Sequence, residues 1–252
     1  MRGLGTIINL VAVSVGGGIG LFVGDRLAER VRRTIMQGLG LVTLAVGIVG
    51  LEPLFHPDAG LRRFVILIVG IILGGLAGEG LQLEDRLEGV GARLQERWAR
   101  RSGTPDDSGQ AEGTSQRRFV EGFIVASTVF CAGPLTVLGS IEDGLGISVR
   151  SLAIKSALDF FAAIGFASVY GIGVLGSLLT ILVYQGGLTL AASLIEPLMT
   201  AEVIAQLGAV GSLLVLGIGL RLLDIAKIRI VSLMPALFIG PAIAGVFEAV
   251  FL

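Results

Sequence analysis

The chain has 252 residues, 53% of them hydrophobic and 15% charged, with 39 glycines and a net charge of −1; its mean hydropathy is +0.87. A water-soluble domain of this length needs far more charge to cover its surface, and nothing in the charge suggests a nucleic-acid partner. One cysteine, Cys131, leaves no internal disulfide or cysteine-rich metal site, and one histidine, His56, in a turn-like His-Pro-Asp segment, argues against histidine-based catalysis or metal binding.

A helical span of the bilayer needs roughly 17–25 predominantly apolar residues. Runs of that kind cover 3–24, 35–55, 64–81, 119–139, 151–172, 174–195, 203–222 and 230–252. The first has only Arg2 ahead of it and no small-residue cleavage site before charge resumes, so it reads as a retained span. Between the third and fourth runs, Leu83, Leu87, Val90, Leu94 and Trp98 recur at helical spacing in a charged stretch, which predicts an amphipathic helix. Residues 102–117 are small, polar and proline-containing and read as a flexible cytoplasmic linker. The fifth and sixth runs form one stretch near twice the thickness of the bilayer core at about 1.5 Å per residue, so the chain must fold back at Gly171-Ile-Gly173-Val-Leu-Gly176.

Charge orients the spans. With eight spans and the N-terminus outside, the cytoplasmic segments 25–34, 82–118 and 221–229 carry 14 of the 19 Lys and Arg residues. That is the positive-inside pattern, and it puts both termini on the opposite side.

Three local echoes recur in the same order. Met36-Gln37-Gly38 answers Tyr184-Gln185-Gly186. Gly78-Glu-Gly80-Leu81-Gln-Leu83-Glu-Asp85 answers Gly217-Ile-Gly219-Leu220-Arg-Leu222-Leu-Asp224, and Phe130-Cys-Ala-Gly133-Pro134 answers Phe238-Ile-Gly240-Pro241. Collinear echoes point to a duplicated unit of four spans, and an even number inserts both copies in the same orientation. The expected organisation is spans one to three with the amphipathic helix over 1–101, the linker over 102–117, span four over 118–139, and the second copy over 140–252. The expected fold is an all-α integral membrane protein of about eight helices in two parallel four-helix repeats, with some helices kinked or broken at Gly-Pro.

Polar residues inside such spans are the candidates for chemistry. Lys155 and Asp159 stand four apart on one helical face and can neutralise each other. Asn9, Gln37 and Gln185 are amides that must find partners, and the repeat-equivalent Gln37 and Gln185 are expected to flank one central site. Cys131, Ser127, Thr128 and Thr136 surround a proline that opens a backbone carbonyl in span four. Glu79 is a further cation or proton candidate, whereas Glu52, Glu121, Glu142 and Asp143 fall near span ends, where solvated carboxylates are ordinary. Glycines four apart, at 16, 20 and 24 and at 70, 74 and 78, suit backbone-to-backbone helix packing within the chain and leave a homo-oligomer open. The chain shows no GxSxG, HExxH, P-loop or CxxC pattern, and neither an enzyme nor a cofactor is expected.

Gly5-Thr-Ile-Ile-Asn9, Arg32-Arg-Thr-Ile-Met-Gln37-Gly-Leu-Gly-Leu, Phe119-Val-Glu-Gly-Phe, Leu138-Gly-Ser-Ile-Glu-Asp-Gly144, Lys155-Ser-Ala-Leu-Asp159 and Tyr184-Gln185-Gly186 carry a resemblance. With them, the chain resembles the YqgA-like bacterial inner-membrane family of unknown function over nearly its whole length except 102–116. The resemblance implies a multi-pass protein of the bacterial inner membrane, in a family sometimes labelled a transport protein. The expected function is transport of a small solute or ion between the two halves, past Asn9, Gln37, Cys131, Lys155, Asp159 and Gln185. The alternatives are an ion channel of the same architecture, or a membrane scaffold or sensor acting through residues 82–118.

Overall fold

Hydrocarbon offers no partner to a backbone amide or carbonyl, so each apolar run closes its hydrogen bonds internally as a helix. The computed structural model describes residues 2–24, 26–55, 60–90, 93, 109–131 and 134–251. The His56-Pro57-Asp58 turn, Leu94 and Trp98 of the amphipathic stretch, residues 102–108 of the linker and Gly133 lie outside them. In chain order the helices are α1 (Leu4–Gly24), α2 (Glu29–Val49), α3 (Gly60–Gly80), α4 (83–90), α5 (Gly109–Cys131), α6 (Pro134–Leu145), α7 (Arg150–Tyr170), α8 (Gly173–Leu190), α9 (Ala192–Ile195), α10 (Ala201–Leu222), α11 (Ile230–Leu233) and α12 (Ala236–Phe251). No strand occurs among the described residues, and the chain is an all-α integral membrane protein.

Among the described residues, seven helices or helix pairs are each long and apolar enough to cross a bilayer. The pair α5 and α6, bent by 61°, passes the same test only when the two helices are taken together, and would then make an eighth span. Gly122 packs on Tyr170 at one end of the bundle, while Gly144 packs on Thr189 and Gly5 meets Asp143 at the other, so the bent pair reaches both ends. The break comes immediately before Pro134, as the Gly-Pro reading expects. In the last span α11 and α12 part at Met234-Pro235, and Pro241 lies inside α12. The turn between the fifth and sixth spans falls where expected. Gly171 there has φ +76°, a conformation open to glycine, and a side chain at Gly173 would run into the Phe119 carbonyl. Residues 109–117, in the stretch read as a linker, belong to the first turns of α5.

The glycine rows act inside the chain. Gly16, Gly20 and Gly24 of α1 lie against the Phe160, Ile164 and Ser168 backbone of α7, and Gly70, Gly74 and Gly78 of α3 against Gly240, Ala236 and Ser232. The first pair runs parallel and the second antiparallel, as alternating spans require. Arginines close the parallel pair: Arg32 donates to the Gly24 carbonyl at the end of α1, and Arg118 to Val169 near the end of α7. On this arginine-rich side α4 is pinned across the bundle. Glu84 accepts from the Val231 amide at 2.9 Å and faces Arg221, while Arg229 bridges Glu79 and Asp85 at 2.9 Å each.

The structure adds internal likenesses of its own. The second and sixth spans each run into a Glu-Pro-Leu 3-10 turn, Glu52–Leu54 and Glu196–Leu198. The third and seventh each end two residues before a left-handed non-glycine residue, Gln82 and Asp224. The two sequence halves are nevertheless interleaved. Helices α1, α5, α6, α7 and α8 pack as one group, and α2, α3, α10, α11 and α12 as another, joined chiefly where α2 meets α7 and α10 meets α5 and α6.

A buried polar file among four helices

The first group encloses most of the buried polar side chains of the spans. Helix α1 contributes Thr6 and Asn9, α6 Thr136, Ser140 and Asp143, α7 Lys155, Ser156 and Asp159, and α8 Gln185 and Thr189. Apart from the adjacent Lys155 and Ser156, members of each set are three or four residues apart, which turns them to one face of their helix. Thr6, Asn9, Asp143, Lys155, Asp159, Gln185 and Thr189 form a file, while the Thr136, Ser140 and Ser156 hydroxyls donate to backbone carbonyls. Starting from the side opposite the arginine-rich loops, Asp143 Oδ2 accepts the Gly5 amide at 3.1 Å and faces that of Thr6. The Thr6 and Thr189 hydroxyls share a hydrogen bond of 3.1 Å. Gln185 Nε2 donates to Thr6 at 3.2 Å, and Asn9 Nδ2 donates to Gln185 Oε1 at 2.9 Å. One turn deeper Lys155 and Asp159 form a buried ion pair, 5% and 6% exposed, and Asn9 also approaches the Asp159 carboxylate.

Cys131 lies buried at the end of α5, where α5 and α6 part. The break frees the Phe130 carbonyl, and the Thr136 hydroxyl returns to it at 3.2 Å. Toward the arginine-rich side the file stops. Val13, Phe130, Ala163, Phe166 and Ile181 close together there, with the Phe130 and Phe166 rings 6.2 Å apart. The far side of α8 is mostly apolar: Leu179, Val183 and Leu188, with Phe123 and Phe238, line a groove of about 620 Å³ together with Thr180 and Tyr184.

Four of the six expected site residues thus converge, Asn9, Lys155, Asp159 and Gln185, and Cys131 is buried where α5 and α6 part. Gln37 does not join them. It is exposed on α2, which turns Gly40 and Gly47 toward α10 and belongs to the other helix group. Glu79 is exposed and paired with Arg229. Asp143, read from its place near a span end as solvated, is instead fully buried, and Glu142 beside it accepts from Ser151 at 2.6 Å. Sequence reasoning also passed over Thr6, Ser140 and Thr189. The available signal was Thr136, Ser140 and Asp143 spaced four and three apart, a polar stripe on a helix that starts at a break.

A polar file through apolar helices defines a class, the multi-pass membrane proteins whose spans enclose hydrophilic groups. Within that class the chain belongs to DUF554, described as "Protein of unknown function (DUF554)", whose model matches residues 4–245. It is 30% identical to "Uncharacterized protein YqgA" of Escherichia coli (strain K12) over 98% of this chain and 99% of that one. It is 28% identical to "Uncharacterized membrane protein YdfK" of Bacillus subtilis (strain 168) over 97% of each. No solved structure matches the chain.

Proposed function

We propose that this chain is a carrier of the bacterial inner membrane, not an enzyme, and that it moves a small polar solute or ion along the file between α1, α6, α7 and α8. One observation carries the reading: a charge pair, two amides and the Thr6 and Thr189 hydroxyls lie buried together inside spans otherwise built of apolar residues. The apolar closure at Phe130 and Phe166 is the kind of barrier a carrier needs on one side of its site. The break before Pro134 gives α6 a place to pivot. Bacterial relatives and the arginine-rich loops favour the inner membrane, with those loops in the cytoplasm.

The test is uptake by liposomes holding the purified protein, across a panel of labelled ions and small polar solutes. Asn9→Leu and the double variant Lys155→Met/Asp159→Leu are expected to cut transport at least about tenfold, the loss of one good polar contact or more. Both variants should still elute as monodisperse protein. Uptake unchanged in both, or no uptake of any panel member above empty liposomes, would overturn the proposal.

A further inference from the structure

The carrier reading leaves the cargo open, and the balance of charge and hydrogen-bonding groups in the file narrows it. Asp143 and Asp159 are acidic and Lys155 basic, so with all three ionised the file has a charge of −1. Asp159 is matched by Lys155. Asp143 is not: it is 0% exposed, and among the described residues no Lys or Arg forms an ion pair with it. Of the basic groups on that side, Arg2 and Arg150 are exposed, and Arg62 and Arg63 pair with Glu202.

Hydrogen bonding leaves the same deficit. Among the described residues, two buried side-chain atoms of the file lack any partner, Asn9 Oδ1 and Asp143 Oδ1, and both are acceptors. One helical turn of α1 separates Asn9 from Gly5, whose amide holds the other oxygen of Asp143. A buried carboxylate oxygen and a buried amide oxygen without donors, in a region short of one positive charge, call for a ligand that brings both. An anion would meet acceptors, and a neutral solute would leave the charge uncancelled.

We infer that the file binds one small monovalent cation, an alkali-metal ion or an ammonium-type ion, between Asp143 and Asn9. This rests on the carrier reading for its role in transport, but binding can be measured without transport. Purified protein in detergent is titrated with NaCl, KCl or NH₄Cl against N-methyl-D-glucamine chloride, at fixed pH and ionic strength. Melting temperature and calorimetric heat are followed together. At least one of the three salts should bind saturably, near one ion per chain, and raise the melting temperature where N-methyl-D-glucamine does not. Asp143→Asn keeps an oxygen for the Gly5 amide while removing the charge, and Asn9→Leu removes the second acceptor. Each should weaken the apparent affinity at least about tenfold.

The inference is overturned if the three salts behave like N-methyl-D-glucamine, or if both variants bind as the parent does. It is also overturned if protection follows pH alone, because Asp143 then holds a proton. The two readings fail separately: a protein that binds the cation but transports nothing sinks the carrier, and one that transports a neutral solute indifferent to these salts sinks the cation site.

Discussion

Lys155 and Asp159 neutralise each other at the centre of α7, and the stability this gives is small compared with what either would cost alone. Removing one partner leaves the other charge uncompensated, at about 3–5 kcal/mol, whereas exchanging both for apolar residues of similar volume is often neutral or better. Asp159→Asn alone is therefore expected to lower the melting temperature in detergent strongly, and Lys155→Met/Asp159→Leu to restore it. A double variant as unstable as the single one would mean that the pair is part of the scaffold. At this scale the sequence was half legible. An ion pair four residues apart within an apolar run is visible by spacing, and so is a buried amide. Asp143 was hidden because burial at a span end depends on what covers it. Here the start of α1 supplies the Gly5 and Thr6 amides from 137 or more residues away.

Helix α1 holds two kinds of glycine side by side. At Gly20 a Cβ would run into the Ile164 carbonyl and the Ala167 side chain, whereas at Gly18 it meets nothing within 4 Å. Gly20→Ala should force α1 away from α7 and cost about 1–3 kcal/mol, the range for overpacking a close contact. Gly18→Ala should be neutral or gain up to about 1 kcal/mol from helix propensity. Thermal unfolding of the two variants in one detergent checks the contrast; equal losses would show that α1 and α7 do not meet along this face. Hydropathy located these helices and the Gly171 turn because length and apolarity are local properties. It could not match Gln37 to Gln185 in space. Both stand in similar tripeptides, but they lie eight residues past the start of α2 and twelve past that of α8, and only α8 packs within the polar group.

For the molecule as a whole, the count of spans sets the side of every loop. Arg30 lies beside the start of α2 among the arginines, and Ile147, exposed between α6 and α7, belongs to the opposite surface. Cys131 is buried and should react little with a bulky reagent, so the parent chain provides a quiet background. A membrane-impermeant maleimide applied to intact spheroplasts should label Ile147→Cys at once and Arg30→Cys only after permeabilisation. The reverse order, or labelling of both, would contradict eight spans with this orientation. The alternation of spans was legible because each run declares itself. The interleaving of the halves was not, since which helix touches which depends on contacts that no single run encodes.

That interleaving bears on how the protein is made. Gly16, Gly20 and Gly24 emerge from the ribosome well before the Phe160, Ile164 and Ser168 backbone they lie against. At about 5–20 residues per second, the nascent α1 waits roughly 7–30 s for its neighbour. During that interval its small-residue face and its Asn9 amide meet lipid or an insertion factor. The polar file therefore cannot assemble until α8 has entered the membrane, so for much of synthesis its amides and acids must be sheltered by something other than one another.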